Sequence, residues 1–262
     1  MTRYTDRGYL QGTQYQDESN LEARASIHQS YSIHPQSYED WLYEHINLPP
    51  NGNVLDLGCG PGTMWNQAGK RLQHDIHLIM ADFSPGMIFT ARRRLQVENR
   101  CSYYLADAVR LPYADDCLDI VIANFILHHV ADVRRAHQGI RRVLKPGGRF
   151  YAVTHGPRHM RRVREIIAAL DPDADLVFRG AGFDLENGTE KREQLFGQVE
   201  RHVREDALLV AHVESLVDTI LSTGQSPYLK DHTDLLATYL QALIAAEGAI
   251  HIEKEIGLFR SA

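Results

Sequence analysis

An α/β fold with a doubly wound sheet is predicted by three features of the sequence. Short β-rich runs alternate with helical segments from about residue 53 to 154, the pattern of strand–helix–strand units around a parallel sheet. Leu118–Asn124 is almost continuously apolar, as expected of a strand whose two faces are both covered by helices. A glycine-rich turn follows the first β run and precedes a helical segment, which places a binding loop at the carboxyl edge of the sheet.

The elements follow in order. Residues 1–18 are polar and read as flexible. Residues 19–47 read as two helical pieces around Ser32–Gln36, broken by Pro49-Pro50-Asn51-Gly52. Asn53–Leu57 is the first strand and Thr63–Leu72 the next helix. His77–Phe83 is a strand, and Pro85–Val97 a helix with proline in its first turn. Ser102–Ala106 and Leu118–Asn124 are strands. Asp132 caps a helix to about Leu144, Pro146-Gly147-Gly148 turns, and Arg149–Thr154 is another strand. Helices are read over Arg158–Leu170 and from Asn187-Gly188 to Phe196, and a strand over Val199–Val203. Two helices at about 211–222 and 229–247 precede Ile250–Phe259, which alternates as a strand. The chain divides into an N-terminal helical lid segment, 1–48, and one domain, 49–262, with a helical cap inserted at about 205–249.

Composition narrows the function. Of the 262 residues, 44% are hydrophobic and 24% charged, enough to build a soluble core. A net charge of -6 gives no general attraction to nucleic acid. The clusters Arg92–Arg94, Arg134-Arg135, Arg141-Arg142 and Arg158–Arg164 read as solvated helix faces, with RNA binding as the sharper alternative. Three cysteines without CxxC spacing form neither a disulfide framework nor a zinc site. The polar N-terminus is no signal peptide, and no apolar run approaches the roughly 20 residues of a membrane span. A cytoplasmic monomer or homodimer is expected.

The strongest motif is Val54-Leu55-Asp56-Leu57-Gly58-Cys59-Gly60-Pro61-Gly62. Gly58 and Gly60 admit close approach of a ligand to the backbone, and the helix beyond offers free N–H groups to an anion. Asp56 suits an ammonium. A dinucleotide fingerprint would need glycine at 63, where Thr63 stands, which disfavours a nicotinamide-dependent oxidoreductase. Asp82, ending the second strand, suits a ribose diol, or else caps the helix near Pro85. Asp107, in Ala106-Asp107-Ala108, suits an adenine amino group, or is a turn aspartate. Asn124 to Val130 (NFILHHV) ends the fourth strand, where ligands of doubly wound sheets bind.

Together VLDLGCGPG, ADFSPGM, ADAVRLPYADDCLDIVIANFILHHV and LKPGGRF resemble the class I S-adenosylmethionine (SAM)-dependent methyltransferases, nearest to the ubiquinone/menaquinone-biosynthesis branch and small-molecule enzymes. The resemblance covers about residues 50–155. It implies a Rossmann-like seven-stranded sheet with an antiparallel last strand, SAM as cofactor and S-adenosylhomocysteine as product. By position, Gly58 and Gly60 would line the methionyl group, Asp82 the ribose, and Phe83 and Met87 the adenine. Asp107 and Ala108 would meet the adenine edge, and the Asn124 carbonyl the ammonium. The fourth strand lacks the Pro-Pro-aromatic ending of base and glutamine methyltransferases, which counts against a nucleic-acid substrate. Asn124 stands where catechol-type enzymes place a metal-binding aspartate, so no metal is expected.

Methyl transfer needs alignment and, for many acceptors, a base. Among 14 histidines, His128 and His129 follow the strand end nearest the transfer site. The bland alternatives are a packed His129 and a solvated His128. His155 is a second candidate base, and Tyr31, with His28 and His34, is expected to close over the sulfonium. The expected activity is methyl transfer to an oxygen, nitrogen or carbon of a small metabolite. A nucleic-acid methyltransferase, or a protein that binds SAM without methylating, are the alternatives, because the motifs describe cofactor binding rather than chemistry.

Overall fold

The β-branched and aliphatic runs of the sequence hydrogen-bond into one seven-stranded sheet in the order β3-β2-β1-β4-β5-β7-β6. A computed structural model describes residues 5–68, 75–95, 100–176 and 182–262. The strands are β1 (Asn53–Leu57), β2 (His77–Asp82), β3 (Cys101–Leu105), β4 (Leu118–Asn124), β5 (Leu144–His155), β6 (Val199–Val210) and β7 (Ile250–Ser261). The first five are parallel. β7 runs antiparallel to both β5 and β6, as expected of the last strand.

Two strands are longer than the sequence implies. Around Pro146-Gly147-Gly148 the pairing shifts, from Leu118 opposite Leu144 to Ile120 opposite Arg149. The expected turn is thus a bulge inside β5, eased by Gly147 at φ 77°. β6 continues to Val210 because each of its residues from Val199 pairs with β7. The ladder overrides the poor strand propensity of Arg204-Glu205-Asp206. The helical insertion therefore starts after Val210 rather than near 205.

Alternation sorts the strand residues onto two faces. Leu55, Leu57, Val121 and Phe150 pack under α6 (Val133–Val143), which Asp132 caps by accepting from the Arg135 amide at 2.9 Å. Val54, Met80, Ile122 and Val153 pack on the other face with Trp41 and Leu42 of α3 (Tyr38–His45) and with Trp65. Trp65 lies on α4 (Thr63–Ala68). The rest of that expected helix, like the end of the helix expected to reach Val97, lies outside the described residues; α5 is Pro85–Arg94. A third cluster joins Ile27 of α2 (Ser19–Tyr31), α7 (Arg161–Leu170), α9 (Val213–Ser222), α10 (Pro227–Asp231) and α11 (Thr233–Glu247) to Ile250 and Ile252, while α8 (Gly188–Glu193) precedes β6.

The N-terminal segment, expected to be flexible when nothing is bound, is helical over residues 7–14 and bends over 15–18. A short α1 (Arg7–Tyr9) runs into a π turn over Leu10–Gln14. Leu10 and Gln14 are buried, and Ser84 donates to the Tyr15 carbonyl at 2.7 Å. Composition marked the segment as polar; its order comes from docking onto the sheet edge.

Candidate active site

The carboxyl ends of β1, β2 and β4 open into a cavity of 1140 Å³, closed on the far side by α1, α2 and α3. Single-ligand pockets span roughly 300–1,000 Å³, so the space admits a nucleoside-sized molecule and a second, smaller one. All the residues assigned to the cofactor from the sequence, from Asp56 to Asn124, line it.

The turn after β1 is built on left-handed backbone, with Gly58 at φ 73° and Gly60 at φ 54°. Gly58 and Cys59 donate to the Ala81 carbonyl at 2.7 and 3.0 Å, which seats the turn on β2. A Cβ on Gly58 would lie 2.1 Å from Ile126 Cγ2, whereas one on Gly60 would meet only Leu21 Cδ1 at 3.9 Å. The cavity wall beside Gly60 is thus open to a ligand. Gly58→Ala should destabilise the fold by about 1–3 kcal/mol through strain and clash; an unchanged melting temperature would contradict the crowding at Ile126.

Asp56 sits on the α3/α4 face of β1. Its Oδ2 accepts from the Trp65 indole at 2.7 Å, while Oδ1 is buried without a hydrogen-bond partner. Burial pushes its carboxyl up to about 7; the Trp65 bond opposes this and the Asp82 charge adds to it. A buried carboxylate with an orphan oxygen is poised for a cationic donor. Asp82 accepts from the Gly60 amide at 2.9 Å and the Ser84 amide at 2.8 Å. It does not cap α5; Ser84 does, accepting from the Met87 amide. Burial pushes Asp82 upward as well, against those backbone bonds. Asp107 accepts from the Val109 amide at 3.0 Å, as a turn aspartate would, and ion-pairs with Arg7. Arg7 also lies over the Phe83 ring at 5.0 Å. The N-terminal segment thereby covers the end of the site assigned to adenine.

At the end of β4, Asn124 Oδ1 accepts from the Tyr38 hydroxyl at 2.6 Å. Phe125 adopts φ 57°, a strained left-handed conformation for a non-glycine residue. It turns the chain into the short 3₁₀ segment Leu127–His129. His128 is buried beneath that segment, and His129 is the partly exposed one, the reverse of the two bland alternatives. His129 Nε2 lies 2.7 Å from the Tyr15 hydroxyl. His155 stacks between Phe125 at 4.3 Å and His159 at 3.9 Å between ring centroids.

Tyr31 is a correction. Its hydroxyl contacts Ser215 Oγ at 3.1 Å on α9, and it does not line the cavity. Leu21, Glu22, Arg24, Ala25, His28 and Gln29 form the cavity face of α2, spaced at helical periods. Tyr31 follows Ile27 by one turn on the adjacent face. Tyr15 and Tyr38 supply the aromatic hydroxyls instead, and His28 and His34 do line the cavity. Tyr15 lay in a stretch too polar to read as structured, so no sequence signal marked it. His137 is buried among Phe150, Phe183 and Phe196, away from the cavity.

Several arginines of these clusters pair with acidic side chains: Arg93 and Arg94 with Glu18, Arg142 with Asp115, Arg158 with Glu205 and Glu255, Arg162 with Glu247. This pattern matches solvated, paired helix faces. No helix among the described residues is long and apolar enough to cross a membrane.

A parallel sheet whose added β7 enters antiparallel between β5 and β6, with the binding loop after β1, is the class I methyltransferase fold. Residues 55–152 match the family model described as "Methyltransferase domain". The chain is similar to the demethylmenaquinone methyltransferase of Clavibacter sepedonicus, 41% identical over 97 residues, which are 37% of this chain and 38% of that one. The match thus spans well under half of that relative. Among solved structures, it is similar to Haemonchus contortus phosphoethanolamine N-methyltransferase 2, in complex with phosphomonomethylethanolamine and S-adenosylhomocysteine. That likeness has TM-score 0.60 and 18% identity, covering 100% of this chain and 60% of that one. It is also similar to the [4+2]-cyclase SpnF, with TM-score 0.55 and 17% identity over 93% of this chain and 94% of that one. At these identities the structural likeness concerns the fold.

Proposed function

We propose that the protein is a SAM-dependent methyltransferase acting on a small-molecule acceptor, with Tyr15 and His129 handling the acceptor's proton. The observation that carries this reading is the single cavity in which the orphan Asp56 oxygen, Gly60 and Asp82 lie on one wall and the 2.7 Å Tyr15–His129 contact on another. When bound, SAM supplies a sulfonium-activated methyl group. The residues do the rest. Asp56 Oδ1 pairs with the methionyl ammonium, Asp82 holds the ribose, and Phe83 and Met87 flank the adenine. The N-terminal segment acts as a lid that excludes water and fixes the acceptor. Tyr15 takes the acceptor's proton while passing its own to His129 Nε2, so one proton leaves the acceptor as its new bond to methyl forms. This is general-base assistance of about 10²–10⁴-fold.

Tyr15→Phe and His129→Gln should each lower turnover by about 10²-fold or more, with S-adenosylhomocysteine affinity within about threefold of wild type. Release of labelled methyl to acceptor measures the first and calorimetry the second. Full turnover in both variants would remove the pair from the chemistry; absence of SAM and S-adenosylhomocysteine binding would remove the function itself.

Asp56 makes that binding pH-dependent. Its folded pKa, about 7, lies above the usual 3.8, so below pH 7 it is neutral and a poor partner for an ammonium. Affinity for S-adenosylhomocysteine should rise with pH up to about 7, by at most roughly tenfold per unit. In Asp56→Asn this slope should vanish; a flat profile in the wild type would break the Asp56–ammonium assignment.

A further inference from the structure

β7 carries a buried lysine where its alternation calls for an apolar residue. Ile252, Lys254 and Ile256 point to one face; Lys254 is 4% exposed and lines the cavity. Directly across the ladder from it stands Asp206, which accepts from Lys254 Nζ at 2.6 Å, from Arg204 at 2.8 Å and from the Ser32 hydroxyl at 2.6 Å. One carboxylate thus serves two buried cations directly. An ammonium has three N–H groups, and Asp206 is the one hydrogen-bond partner of Lys254 among the described residues. Nearby, His28 Nδ1 is buried on the cavity-facing side of α2 without a partner. Glu39, half-buried on the cavity wall, attracts Lys254 through space, with no ion pair between them within 4.0 Å.

We infer that Lys254, with His28 beside it, binds a single anionic group, a carboxylate, on the acceptor molecule. The inference rests on the methyltransferase reading and gives it a substrate class: a small aromatic acid. Aromaticity follows from the wall between this cluster and the transfer site. There His28, His159, His155 and Phe125 stand ring to ring at 5.9, 3.9 and 4.3 Å; they cover one another's faces, so the cavity meets their edges, against which the face of an aromatic molecule packs. Glu39 already offsets part of the excess positive charge through space, which favours a monoanion over a dianion. Burial lowers the affinity of Lys254 for its proton, against the pull of Asp206, and a bound anion offsets that penalty. A charge inside an otherwise apolar register is costly to keep unless it meets a partner, and Asp206 satisfies only part of it.

The test is calorimetric titration of the S-adenosylhomocysteine-loaded protein with benzoate, benzyl alcohol, benzylamine and phenyl phosphate. Benzoate should bind at least tenfold more tightly than the alcohol or the amine, and more tightly than phenyl phosphate. In Lys254→Met the benzoate preference should fall to within twofold, with S-adenosylhomocysteine affinity unchanged; Lys254→Arg should retain a preference. Equal binding of benzoate and benzyl alcohol, tighter binding of phenyl phosphate or benzylamine, or a preference that survives in Lys254→Met would each overturn the inference. Should Lys254→Met not fold, the order of the four probes on wild type still decides it. Failure to bind S-adenosylhomocysteine would instead count against the methyltransferase reading.

Discussion

Replacing Asp82 with alanine is expected to weaken SAM and S-adenosylhomocysteine binding about 100-fold. Both carboxylate oxygens already accept one backbone N–H, from Gly60 and from Ser84, and each has a further lone pair to offer. Bonds from a ribose diol to a charged acceptor contribute about 1.5–3 kcal/mol apiece. Losing two gives at least about 3 kcal/mol, and 1.4 kcal/mol is tenfold in affinity. The same substitution releases the Gly60 amide, so the turn that faces the ligand also loosens. Asp82→Asn keeps the shape and one acceptor oxygen, and should fall between the two. Calorimetry and a thermal melt separate the possible roles. A variant that melts lower but binds within threefold of wild type would mean that Asp82 only shapes the turn.

The sequence reached this half of the site because its chemistry is local. Asp56, Gly58, Gly60, Asp82 and Asp107 each lie at or just beyond a strand end, and in a doubly wound sheet every such end meets the same edge. Apolar runs also placed the strands, apart from the start of β5, which continues through a bulge, and the end of β6, whose length depends on pairing with β7 rather than on its own residues. The acceptor half is different. Tyr15, Tyr38, His28 and Lys254 come from four separate elements, and their meeting depends on how the N-terminal helices dock. Tyr31 lies at the end of a readable helix, but the phase of α2 turns it toward α9. One signal was available. In Ile250–Phe259, Lys254 breaks an inward series of Ile250, Ile252, Ile256 and Leu258, and a charge in a core register is expected to have a specific partner.

That partner gives the largest stability effect expected in the molecule. Asp206→Ala should destabilise the fold by about 3–5 kcal/mol, because it leaves Lys254 and Arg204 buried without a counter-charge. The side chains of Asp206, Arg204 and Lys254 are 0%, 1% and 4% exposed, so water cannot screen the loss. Asp206 also accepts from the amides of His34 and Ala207, which ties the segment between α2 and α3 to β6. A drop in melting temperature on the order of 10 °C follows at roughly 2–4 °C per kcal/mol for a domain of this size. The effect has a pH signature. Burial works against ionisation of Asp206, but the bonds from Lys254, Ser32 and Arg204 outweigh it and hold the carboxyl well below its usual range. A carboxylate with a depressed folded pKa contributes its stability fully above the unfolded value of 3.8 and loses it as pH falls toward the folded one. The gap between wild type and Asp206→Ala should therefore be constant near neutrality and narrow below about pH 4. A gap of under 1 kcal/mol at pH 7 would mean that the two cations find other partners when Asp206 is gone, and that the cluster is a local pairing rather than the tie between β6, β7 and the N-terminal helices.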